Sequence, residues 1–159
     1  MRRSVLAGLV ILGLLIPPAV LQAQTAPGPI KVHEAWSRAT PGGAKVGAGY
    51  LVVENAGPDP DRLVGAEAEV AGRVEIHEAT ESGGVSRMRP VDAVAAAPGG
   101  RIAFRPGGHH LMLVELKRPL KQGERFAGAL LFEKAGRVAV TFEVRGIGAG
   151  AGHGAHTAH

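Results

Sequence analysis

The 159-residue chain contains no cysteine. It therefore cannot close a disulfide, build a thiolate copper, zinc or iron–sulfur centre, or perform thiol–disulfide exchange, and burial alone must stabilise it. Aromatic residues make up only 4%, with one Trp and one Tyr, and no Lys/Arg cluster interleaves with them. Nucleic-acid binding thus has no footprint. No segment sustains a 3.6-residue apolar period, which excludes a helical bundle. Methionine is almost as scarce: there are three, and Met1 is one of them.

The chain opens with Arg2 and Arg3, an apolar run from Val5 to Ile16, then Pro17-Pro18 and a small-residue site before Gln24. This is the layout of a cleaved export signal over residues 1–23. A retained anchor is the competing reading, but the run falls short of the roughly 20 residues a spanning helix needs. Cleavage leaves no membrane span and places the protein in the periplasm. Without Arg2 and Arg3 there are 16 basic against 14 acidic residues, so the exported chain carries a net charge near +2 rather than +4.

Twenty-four glycines and eleven prolines punctuate the remainder into short apolar segments. Residues 24–31 read as a linker, 32–146 as one domain, and the Gly/Ala-rich 147–159 as a disordered tail holding His153, His156 and His159. Strands are expected near Ile30–Trp36, Gly49–Glu54, Arg62–Val70, Arg73–Thr80, Val85–Val91, Arg101–Phe104, His110–Leu116, Arg125–Glu133 and Arg137–Val144. Val91 to Ala97 is a candidate helical turn. Ile30, Val32 and Trp36 are expected to share a face. About eight short strands with regular turn signals predict an all-β sandwich or Greek-key barrel.

Both internal methionines, Met88 and Met112, fall in the window from His77 to Met112, together with His77, His109 and His110. Residues two apart on a strand point to one face, about 6.7 Å apart along it, so His110 and Met112 can converge on one ion. The Pro106-Gly107-Gly108 turn sets them at the start of a strand, near one end of the domain, where His77 and Met88 could join them. His109 faces the other way and reads as a turn residue, and Glu75 and Glu78 read as bystanders. Thioether sulfur is soft and neutral; two Met and two His with no charged ligand favour Cu(I) over Cu(II), Zn²⁺ or hard cations. The bland reading keeps Met112 as core filler and His77 as a surface histidine.

The spacing of these residues carries a resemblance. His77, ten residues, Met88, twenty-one residues, then His110-Leu111-Met112 resembles the H-x10-M-x21-H-x-M signature of the periplasmic copper chaperones called PCuAC, or DUF461. Ala35-Trp36-Ser37-Arg38, Asp61-Arg62-Leu63, Val74 to Glu78, Met88 to Val91 and Pro106-Gly107-Gly108 are similar to the family pattern too. The resemblance implies a cupredoxin-like Greek-key β-sandwich binding one Cu(I) through His77, Met88, His110 and Met112. It implies delivery of that copper to the copper centres of respiratory cytochrome oxidases, beside a Sco-type thiol assembly protein. Family tails rich in His or Met take a further copper, often Cu(II); here only imidazoles are present, at His153, His156 and His159.

Two other readings compete with a non-enzymatic carrier. A copper enzyme of the His-brace type needs a histidine at the mature N-terminus, where the expected cut leaves Gln24. A general metal-buffering or interaction module would use the His tail as its main site. The export reading has a direct check: intact mass of the protein recovered from a periplasmic fraction should correspond to a chain starting at Gln24, and a mass retaining residues 1–23 would contradict it.

Overall fold

The fold is described by a computed structural model covering residues 28–150. The expected signal, residues 24–27 of the linker, and His153, His156 and His159 lie outside the described residues. Ten strands are present: β1 (Ile30–Arg38), β2 (Val46–Asn55), β3 (Asp61–Ala68), β4 (Arg73–Ser82), β5 (Val85–Pro90), β6 (Val94–Ala96), β7 (Arg101–Phe104), β8 (His109–Val114), β9 (Arg125–Phe132) and β10 (Gly136–Arg145). No helix among the described residues is long and apolar enough to cross a membrane.

Hydrogen bonding runs in the order β5-β4-β8-β2-β1-β10-β9-β3-β6, with β7 added to β2 beyond β8. This single ladder curls into two layers. The closure shows in the packing of β3 against β4, two strands that stand near opposite ends of the ladder. The result is the all-β, cupredoxin-like sandwich expected from the sequence. First and last strands lie side by side: β1 pairs with β10 in parallel, Trp36 opposite Glu143, whereas the other ladders are antiparallel.

The core follows from strand alternation. Val140, Phe142 and Val144 point inward from β10, while Arg137, Ala139, Thr141 and Glu143 point out. Phe142 stacks on its cross-strand partner Phe126 at 5.1 Å between ring centroids. Gly128 allows that packing, because a Cβ there would come within 2.7 Å of the Glu67 carbonyl oxygen and 3.0 Å of the Phe142 ring. Leu51, Val53, Leu63, Leu111, Leu113, Leu120 and Leu130 fill the remaining interior, each such side chain contributing roughly 1.5–3 kcal/mol by leaving water.

Three sequence expectations are corrected. Ile30 and Lys31, assigned to the linker, already belong to β1, and Ile30 is buried. Val94–Ala96 forms β6, paired with β3, where a helical turn was expected; a three-residue apolar run is too short for periodicity to separate the two. Trp36 does not share a face with Ile30 and Val32. A bulge between His33 and Trp36, with Glu34 at φ 51°, inserts one extra residue, so Trp36 faces outward beside Tyr50 and Ser37 turns in. Strict alternation cannot register a bulge.

Asp61, at the start of β3, ties the loops at the end of the sandwich where β2 finishes. Its carboxylate accepts amide hydrogen bonds from Arg62, Lys134 and Ala135 at 2.7–3.0 Å. Burial pushes this carboxyl up, but the Ala135, Lys134 and Arg62 amides outweigh it and hold it below the ordinary value of 3.8. A depressed folded-state value means stability that is present above pH 3.8 and lost as pH falls through the lower folded value. Asp61→Asn should lower stability by about 1–3 kcal/mol at neutral pH. Denaturant titrations should show that deficit narrowing below pH 3.8; a pH-independent difference would refute the carboxylate's role.

Candidate metal centre

Strand registers bring the four expected ligands to one face. His77 of β4 lies directly opposite His110 of β8, and Glu75 opposite Met112. Met88 of β5 lies opposite Ala79. Directly paired residues share a face, and so do residues two apart. His77, Met88, His110 and Met112 therefore all project from the face opposite Ile76, Leu111 and Leu113, which are core. The expected meeting place at the strand start near one end is thus refined: the residues occupy the outward face of the β8-β4-β5 layer.

His77 and His110 form the closed part of the site. Their ring centroids are 5.8 Å apart, and they are only 9% and 7% exposed. Each ring has one nitrogen engaged. His110 Nδ1 bonds the Gly108 carbonyl oxygen at 3.0 Å, so Nδ1 carries the hydrogen and Nε2 keeps its lone pair. His77 Nε2 lies 3.0 Å from the Glu75 carboxylate. His77 Nδ1 is buried with no hydrogen-bond partner. A buried ring nitrogen without a partner costs free energy unless something occupies it.

The methionines form the open part. Met88, Met112 and His110 line a cavity of about 460 Å³, walled also by Val46, Ala48, Tyr50, Pro106 and Gly107. Met88 is 61% exposed, on the edge strand β5, while Met112 is half-buried between β2 and β4. In flat-sheet geometry the Met112 backbone stands about 7 Å from the midpoint of the two imidazole positions, and that of Met88 about 10 Å. Long unbranched thioethers cover Met112's distance readily. Met88 must lean in from the edge.

Among the described residues lining the cavity, Arg38 alone carries a full charge. Arg38 reaches the cavity with its guanidinium 5.7 Å from the Tyr50 ring centroid and its Nε donating to the Ala149 carbonyl. Burial pushes the Tyr50 phenol above its ordinary 10.0 against the pull of Arg38, so it stays neutral. Among the described residues, no three His, Asp or Glu side chains group to hold a metal. Met88 and Met112 add soft, neutral donors, a kind that suits Cu(I) better than hard cations.

His109 points to the other face, 5.9 Å from Phe104 and 3.8 Å from Glu78, whose carboxylate also pairs with Arg89. Their reading as bystanders fits this placement. Glu75 does not fit it. Its carboxylate bonds Arg73 as well as His77, and those two partners, Arg73 first, hold it below the ordinary value of 4.5. The signal was available: on a strand, Glu75 and His77 are two apart and share a face.

Two imidazoles and two thioethers thus share one face of an all-β cupredoxin-like sandwich, a donor set of soft-metal character. Comparison with known proteins narrows it. The family described as "Putative lipoprotein LpqE-like" matches residues 30–144. The chain belongs to this family, which is the PCuAC or DUF461 family. The copper-bound PCuAC domain from PmoF2 is 30% identical with a TM-score of 0.65, covering 77% of this chain and 97% of that domain. Cu(I)-bound DR1885 from Deinococcus radiodurans is 30% identical with a TM-score of 0.61, covering 80% and 86%. "Putative lipoprotein Lxx21020" of Leifsonia xyli subsp. xyli is 29% identical over 117 residues, 73% of this chain and 69% of that protein.

The unequal exposure of the two sulfurs is measurable. Limited peroxide treatment of the metal-free protein should place the first added oxygen on Met88, with Met112 following more slowly. Peptide mass spectrometry reads the order, and equal rates would contradict the geometry.

Proposed function

We propose that this protein is a periplasmic, non-enzymatic carrier that binds one Cu(I) through His77, Met88, His110 and Met112. The observation that carries the reading is the paired state of the two imidazoles. Each has one nitrogen tied by a hydrogen bond and the other free, at His77 buried without a partner, and the two internal methionines project from the same face. The likeness to copper-bound PCuAC domains supports copper as the cargo. Two neutral sulfurs favour the cuprous ion, and the lack of a thiolate keeps the bond weak enough for release.

Delivery follows from the open side. The exposed Met88 sulfur is the ligand an acceptor can replace first, while the buried histidine pair holds the ion until exchange is complete. The recipients we propose are copper centres of respiratory cytochrome oxidase, with a Sco-type thiol protein as co-worker, in keeping with the family pattern in the sequence. The "lipoprotein" descriptions of the family and of the Leifsonia relative support export. None of these 159 residues is a cysteine that could carry a lipid through a thioether. His153, His156 and His159 supply imidazoles for a second, weaker Cu(II) site.

Equilibrium competition against a Cu(I) chelator tests the core site. Chain lacking residues 151–159 should bind one Cu(I), and Met88→Ala with Met112→Ala should weaken that binding by at least about tenfold, the equivalent of 1.4 kcal/mol. Unchanged affinity in the double variant would rule the ligand set out. X-ray absorption on the Cu(I) form should show sulfur and imidazole nitrogen together. Metal binding that disappears with residues 151–159 would instead favour the buffering module.

A further inference from the structure

Glu75 sits at the middle of a four-residue chain of charge-assisted bonds that ends at the metal face. Arg73 donates through Nε to one Glu75 oxygen at 2.9 Å, and the other Glu75 oxygen meets His77 Nε2 at 3.0 Å. A second nitrogen of Arg73 bonds Glu115. Glu115 is held for this contact by its backbone, which adopts φ 58° just after β8 and receives the Gly72 amide on its carbonyl. Gly72 is required by that approach, since a Cβ there would lie 2.6 Å from a Glu115 carboxylate oxygen and 2.9 Å from its Cβ. The turn between β3 and β4 and the end of β8 thus grip Arg73 from two sides, and Arg73 grips Glu75.

A carboxylate can only accept hydrogen bonds. Its contact with His77 Nε2 therefore puts the ring hydrogen on Nε2 and leaves Nδ1 with a free lone pair, the same nitrogen that is buried and unpartnered. At His110 a backbone carbonyl does the reverse, taking the hydrogen on Nδ1 and freeing Nε2. We propose that Glu75, anchored by Arg73 and Glu115, is a positioning residue that locks His77 in the Nε2–H tautomer and so presents Nδ1 to Cu(I). The two imidazoles then offer opposite nitrogens from neighbouring strands, which is how two rings 5.8 Å apart can aim at one ion between them. A carboxylate behind a ligating histidine also raises its basicity. This assignment rests on the copper reading above, but the tautomer half of it does not require metal.

The experiment uses the full chain in the metal-free state. Long-range proton–nitrogen correlation of the imidazoles should show His77 protonated on Nε2 and His110 on Nδ1. Glu75→Leu should convert His77 to a mixture of tautomers. Glu75→Gln, whose amide oxygen still accepts, should preserve the tautomer, and Glu78→Gln on the opposite face should change nothing at His77. Chelator competition should then find Cu(I) binding weakened about 10–100-fold in Glu75→Leu and substantially restored in Glu75→Gln, with thermal unfolding confirming that both variants fold. His77 carrying its hydrogen on Nδ1 in the native protein overturns the proposal, as does Glu75→Leu with native tautomer and native affinity. Native tautomers in a protein that binds no Cu(I) would overturn the copper reading while leaving Glu75's hold on the ring established.

Discussion

The antiparallel pairing of β4 with β8 governs the metal face. Ile76 opposite Leu111 and Val74 opposite Leu113 bury their side chains toward the core, and the same register sets His77 opposite His110 on the other side. A slip of one residue would move His110 inward and Leu111 outward, leaving a buried imidazole and an exposed leucine. The apolar cost of that slip protects the ligand geometry, so core packing on one side of the layer specifies chemistry on the other. β2 extends the layer with Ala48 opposite Met112, a small neighbour that leaves the thioether room.

Much of this was readable from residue order, and the parts that were not have physical causes. The His110-Leu111-Met112 alternation gave the shared face because a strand repeats every two residues. Its position in the sandwich required knowing which strand pairs with which, a long-range fact. Alternation misplaces Trp36 because an extra residue at Glu34–Ala35 breaks the repeat, and only the bond ladder reveals the bulge. β6 escapes periodicity because three apolar residues support either a turn of helix or a bridge to β3. Glu75 carries no distinctive sequence signal because charge next to a histidine on a strand is common, and its partner Arg73 is in turn fixed by Glu115, 42 residues away.

The division between buried nitrogen and exposed sulfur gives the site a direction. The imidazoles are secured through Gly108, in the turn before β8, and Glu75, on β4. The sulfurs rely on longer, less constrained side chains, one of them on an edge strand. Soft exchange at one end and firm orientation at the other are opposite demands, and the sheet separates them spatially. Charge stands close by: Arg38 lines the cavity, and the Glu75 carboxylate lies against His77.

Gly150, the last described residue, packs so tightly on Trp36 and Pro106 that a Cβ would come within 3 Å of each, and Pro106 also walls the cavity. Whatever is joined beyond this point therefore departs from the lip of the metal face. The N-terminal side enters elsewhere: Ile30 pairs with Asn55, at the end of β2 remote from Val46, a span of about 30 Å for a ten-residue strand. A histidine tag fused directly after Gly150 would begin beside the donors it most resembles, and metal counts from such a protein would mix the two. Tagging at the other end keeps them apart.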